Sequence, residues 1–176
     1  KDNIGIIWDT HFDIDVDNTL AHHFVPLYLK PSSAIYGRDS NKRSHVLFKG
    51  TTDDKEFALP KEFEPWCKKF PHGNTLIEIR SGSGQQSLGP GSKIGDSPGN
   101  GEEVKWEVLE GVSIYDGDVL EDVSKIAFAT AMTILYPSKG TIRDYVYSIA
   151  CILAKGTTWT DSEIDRLIEK IATHSG

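Results

Sequence analysis

The heptapeptide Phe12–Asn18, FDIDVDN, constrains this chain more than any other stretch. Apolar Phe12, Ile14 and Val16 alternate with Asp13, Asp15 and Asp17, which is the period of two that a β-strand imposes on its side chains. Such a strand separates two environments, because its apolar face has to be buried while three carboxylates share the other. Like charges this close repel, so the acidic face persists when it is fully wet or when cations lie among the carboxylates. Magnesium and manganese select carboxylate oxygens and keep positions open for phosphate, which makes the three aspartates candidate metal ligands. An exposed acidic edge that discourages pairing with foreign strands is the alternative.

Short strands continue through residue 115. Ile4–Trp8 is an apolar run and Thr19–Tyr28 reads as a helix. Ala34–Tyr36, His45–Lys49, Glu56–Leu59, Leu76–Arg80 and Val104–Val108 are strand candidates bounded by Gly, Pro, Asn and Asp. Residues 82–101 hold seven glycines and two prolines, which predicts a long irregular loop of the functional kind. Beyond Asp118 the period becomes helical. Val119–Leu135 ends before Pro137 and Gly140, Thr141–Ala154 presents Tyr145, Val146, Ile149 and Leu153 on one face, and Thr160 with Glu163 forms a capping-box pattern ahead of Ile164, Leu167 and Ile171. The expected class is α+β, with a sheet-based part over 1–115 and a small helical bundle over 116–176.

Apolar residues make up 38% and charged residues 26% of the 176, a folded rather than a disordered composition. No run reaches the roughly 18 apolar residues of a membrane-spanning helix, and the N-terminus lacks a signal peptide's layout. Cys67 and Cys151 show no metal-ligand spacing, as expected of free thiols in a reducing cytoplasm. A chain that opens on Lys1 almost directly before a strand suggests a piece of something longer. The net charge of −7 is unusual for a nucleic-acid binder, but residues 22–72 carry nine Lys/Arg against six Asp/Glu while the remainder carries ten against twenty. That distribution suits a local basic track beside an acidic site, or a solvated surface with no such role.

Two further segments bear chemistry. GRDSNKRSHVLF, Gly37–Phe48, sets Arg38, Lys42, Arg43, Ser44 and His45 at a turn entering a strand, a donor set fitted to phosphates. LIEIRSG, Leu76–Gly82, puts Glu78 and Arg80 on one face of an otherwise apolar strand. Glu78 is therefore either aimed at a site or paired with Arg80 at the surface.

In order, DIDVDN, GRDSNKRSHVLF, LIEIRSGSGQQ, a Gly/Pro loop and VKWE resemble the archaeo-eukaryotic primase superfamily, in particular the primase-polymerases of plasmids, phages and mobile elements. The resemblance covers roughly residues 4–108. It implies an RRM-like antiparallel or mixed sheet with flanking helices, truncated before the acidic strand. It also implies a DNA primase or polymerase that transfers nucleotides from NTPs or dNTPs onto a primer on single-stranded DNA, with two Mg2+ or Mn2+ ions. Asp15 and Asp17 match the acidic pair, with Asp13 as an alternative ligand, and Glu78 matches the third carboxylate. Ser44 and His45 match the nucleotide-contacting motif, with Arg38 and Arg80 beside the triphosphate. Lys42, Arg43, Lys139 and Arg143 are candidates for nucleic-acid contact, and Trp159 for a role in the helical tail. A fused or associated helicase is implied as partner. Relatives often carry a Pro-Pro-Ser-x-His-like run after the third carboxylate, whereas GPGSKIG, Gly89–Gly95, has no histidine.

Two other readings stay open. DVDNTL, Asp15–Leu20, with GDVLED, Gly117–Asp122, fits the motifs of haloacid-dehalogenase-like phosphatases, in which Asp15 would be the nucleophile. A replication-initiator module that binds nucleotide or DNA without catalysis would retain the same residues.

Overall fold

The acidic heptapeptide forms the middle of an antiparallel sheet in the computed structural model, which describes residues 3–63, 65, 73–95, 101–137 and 140–175. The elements are β1 (Gly5–Ile7), β2 (His11–Asp15), α1 (Val25–Tyr28), β3 (Ala34–Arg38), β4 (Asn41–Lys49), β5 (Lys55–Ala58), β6 (Thr75–Arg80), β7 (Gln86–Leu88), β8 (Lys93–Ile94), β9 (Glu102–Glu103), β10 (Lys105–Leu109), α2 (Val119–Ile134), α3 (Ile142–Gly156) and α4 (Asp161–His174). Six strands order as β10-β3-β4-β2-β6-β5, with every neighbouring pair antiparallel. The class is α+β, as the patterning implies.

Alternation along β2 decides what lies on each side. Phe12, Ile14 and Val16 face back and pack with Val46, Phe48, Ile77 and Ile79 from the adjoining strands. Helix α2 closes over this face with Val123, Ile126 and Ala127, and α4 adds Ile164, Leu167 and Ile171 to the same cluster. The residues on either side of the 115/116 division thus bury one another in a continuous apolar core. The front face is polar at its centre and is walled at one end by a smaller cluster of Trp8, Ala34, Tyr36, Leu47 and Val104.

Helix ends follow the local chemistry. The Asp118 side chain caps α2 by accepting from the Glu121 amide at 2.9 Å, and Thr160 and Glu163 complete the capping box of α4. Two expectations are corrected. Thr19–Tyr28 is not one helix: Asn18 Oδ1 accepts from the Leu20 amide at 2.9 Å, starting a 3-10 turn at Ala21–His23. A single α turn bearing Pro26 follows, and Leu29 is already extended. The glycine-rich stretch is not wholly irregular either, since β7 pairs with β1 and β8 with β9. Ribbons two or three residues long have too few positions to show a period, and the partner of β7 lies about 80 residues away in sequence. Residues 96–100 fall outside the described residues.

Candidate metal centre

Antiparallel register brings the carboxylates together. Asp15 in β2 lies opposite His45 of β4 on one side and Glu78 of β6 on the other, and directly opposed residues share a face. One step along, Asp13 is opposite Arg80. Asp17 lies beyond the last β2 residue, yet Val16 N–H donates to Ser44 O at 2.7 Å and Asn18 N–H to Leu76 O at 3.1 Å. The chain therefore stays extended between the same neighbours and Asp17 returns to the front. One carboxylate oxygen each from Asp15, Asp17 and Glu78 lies within 4.8 Å of the others.

Asp13 does different work. Its Oδ2 accepts from His45 Nδ1–H at 2.7 Å and from the Ser87 hydroxyl at 2.8 Å. Trp8 Nε1–H and Arg80 Nη1–H in turn donate to Ser87 Oγ at 3.3 and 3.4 Å. The His45 ring stacks on Tyr36 with centroids 4.4 Å apart and planes 11° from parallel. Ring plane and tautomer are both set, leaving Nε2 as the ring nitrogen for a ligand. Asp13 Oδ1 is buried without a hydrogen-bond partner among the described residues.

Arg80 binds two of the three converging carboxylates, with Nη2 2.6 Å from Asp15 Oδ2 and Nε 2.7 Å from Glu78 Oε2. The pairing of Glu78 with Arg80 and the aiming of Glu78 at the cluster, posed as alternatives by the sequence, hold together.

Four carboxylates gather at this site. Arg80 contacts Asp15 and Glu78, and His45 contacts Asp13 and lies 3.8 Å from Asp15. Burial, reinforced by the Asp13 and Glu78 charges and opposed by His45 and Arg80, raises the Asp15 pKa to about 6. Burial with the Asp15 and Glu78 charges lifts Asp17 to about 7. Burial opposes charge on His45, but Asp13, by charge and by hydrogen bond, and then Asp15 outweigh it and raise its pKa. Three carboxylate oxygen donors converging in a partly dry setting fit a hard divalent cation.

Asp15 and Asp17 open onto a cavity of about 230 Å³ whose walls include Arg38, Asn41, Ser44, Arg80, Gln86 and Ile94. Arg38 is held 3.5 Å from Glu102. Lys42 and Arg43 are exposed on β4 and border a different cavity behind the sheet. Arg143 is exposed in the first turn of α3, within the helical layer. The Trp159 ring lies tilted by 30° against Tyr28 with centroids 5.9 Å apart and has Lys125 Nζ 5.6 Å from its ring centre, so it packs between the helical layer and α1. Lys139 and Cys67 lie outside the described residues. The downstream part of the phosphatase motif, Gly117–Asp122, does not reach the site: Asp118 caps α2, Asp122 accepts from Tyr115 Oη–H at 2.6 Å, and α2 lies on the back of the sheet.

Ser87, Tyr36, Asn41 and Gln86 also build the site. Each is an ordinary residue type whose role depends on a distant partner, and the glycine-rich composition around Ser87 and Gln86 was the only signal. Comparison with known protein families, with characterised proteins and with solved structures finds no match.

Proposed function

We propose that this chain is the catalytic core of a primase-polymerase, which transfers nucleotides from NTPs or dNTPs onto a strand templated by single-stranded DNA. The supporting observation is the convergence of Asp15, Asp17 and Glu78 within 4.8 Å beside a cavity rimmed by His45, Arg38 and Arg80. The order of motifs along the chain supports the same reading.

Asp15, Asp17 and Glu78 would hold magnesium or manganese, which supplies charge stabilisation at the reacting phosphoryl group and its two flanking oxygens. His45, oriented by Asp13 and Tyr36, presents Nε2 as a donor to triphosphate oxygen. Its raised pKa favours the doubly protonated ring that such a donor requires. Arg38 and the Ser44 hydroxyl add donors from β3 and β4. Arg80 pairs with Asp15 and Glu78, and its guanidinium would turn to phosphate if a cation held those oxygens. The ribbon bearing Gln86 walls the nucleotide from solvent. Service in replicating a mobile element, with a helicase as partner, belongs to the same proposal.

The test is template-dependent incorporation of labelled nucleotides on single-stranded DNA with Mg2+ or Mn2+. Asp15→Asn with Asp17→Asn is expected to abolish incorporation while circular dichroism stays native. Undiminished incorporation by that double variant would overturn the assignment. Metal-dependent nucleotide binding without incorporation by the native chain would assign a binding module instead.

A further inference from the structure

Behind the sheet, on the face opposite the carboxylates, lies a cavity of about 520 Å³ between α1, the chain around Pro31 and the back of the β3–β4 hairpin. Its floor is Ile35 and Val46, directly opposed across the two strands, and its apolar walls include Val25, Pro26 and Leu29. Helix α2 packs toward β6, β5 and α1, and over this part of the back face the short α1 forms the wall.

The rim carries Lys30, Lys42 and Arg43, and among the described residues no carboxylate lines the cavity. Glu107 approaches the rim, but it accepts from the Arg43 amide at 2.5 Å. The two β4 cations stand on a bulge. Tyr36 pairs with His45 and Arg38 with Asn41, so β4 spends two residues more than β3 over this interval. Arg43 adopts a left-handed φ of 56° there. A bulge re-aims side chains, and this one sends Ser44 to the front cavity while Lys42 and Arg43 border the rear one.

We propose that this rear cavity binds a free nucleoside phosphate without metal, as a second site distinct from the carboxylate centre. The volume suits one small ligand. Apolar walls bearing prolines receive a planar base, whereas three cations exceed what a single carboxylate, as on a fatty acid, would require and match a polyphosphate. The two cavities are neighbours: His22, lining the rear one, donates from Nε2 to Oδ1 of Asn41, lining the front one, at 3.0 Å.

The test is equilibrium binding of a fluorescent ATP analogue to the whole chain in excess EDTA. Saturable one-to-one binding is expected, and it should persist in the Asp15→Asn/Asp17→Asn variant. Lys42→Glu with Arg43→Glu should weaken it about tenfold or more, given the strength of hydrogen bonds to charged groups. Val25→Phe, which fills the wall and leaves the rim charges alone, should weaken it as well. Binding that requires metal or vanishes in the aspartate variant would overturn the second site, as would full affinity in both rear-cavity variants. Displacement of the analogue by oligothymidylate at lower concentration than by ATP would overturn the free nucleotide in favour of a strand. Incorporation activity is not read here, so failure of this site and failure of the carboxylate assignment are distinguishable.

Discussion

Asp13 and Asp15 sit two residues apart on one strand and face the same way, yet their neighbours divide the labour between them. Asp15 meets Glu78, Asp17 and Arg80, while Asp13 accepts from His45 and Ser87 and so acts on the site through the imidazole. Asp13→Asn should lower turnover by about 10–100-fold, the usual cost of losing a supporting hydrogen bond at a metal site. In the same variant the His45 titration, followed by NMR, should move down, because the charge that lifts it is gone; an unmoved titration would deny Asp13 this role. The raised pKa values of Asp15 and Asp17 also bear on stability. A carboxyl that binds its proton more tightly folded than unfolded stabilises the fold at low pH, and that contribution is lost as pH rises from the ordinary 3.8 through about 6 and 7. The raised pKa of His45 acts in the same direction. In EDTA the thermal midpoint should therefore fall as pH rises across this window, and less steeply in the Asp15→Asn/Asp17→Asn variant. Added Mn2+ should raise the midpoint more at the upper end of the window than at the lower, because protons and metal compete for the same oxygens. Equal effects of Mn2+ at both ends would argue against coordination by these groups.

At the scale of elements, the β3–β4 hairpin does the most to shape the site. Its bulge lies against Gly37, where a Cβ would fall 2.6 Å from Asn41 O and 2.7 Å from the Arg43 nitrogen. Both neighbours are backbone and cannot swing aside, so glycine is demanded by close approach. Gly37→Ala should cost about 1–3 kcal/mol, as overpacking generally does, measured by urea unfolding. Nucleotide incorporation should fall too, since shifting the bulge moves Ser44 and His45. A fully stable, fully active alanine variant would show that the bulge is not held in this way.

Over the whole molecule, the back of the sheet and the helices solve one problem together. An amphipathic strand layer cannot bury its apolar face alone, and α2 and α4 supply the cover. Ile126 is fully buried at this junction, and Ile126→Ala should destabilise by about 2–5 kcal/mol. Both parts should still lose structure in one transition. Separate melting of sheet and helices, seen as two steps by circular dichroism, would show that they unfold as two units divided near residue 115. No helix among the described residues is long and apolar enough to cross a membrane.

Periodicity was enough to place the acidic strand, the strands bearing His45 and Glu78, the three long helices and two of their caps, because alternation and capping are local consequences of side-chain geometry. Which faces meet is also local once a strand is amphipathic, so the shared face of Asp13, Asp15 and Asp17 was legible in FDIDVDN. Register was not, because it depends on pairings between residues tens of positions apart. Only the folded chain could put Glu78 beside Asp15, give Asp13 to His45 and bring Ser87 across 74 residues to the same carboxylate. The covering of the sheet by the helices, and the cavity they leave behind β3 and β4, were likewise decided by tertiary packing. Each depends on how much apolar surface several elements bury jointly, a quantity that no single stretch of sequence carries.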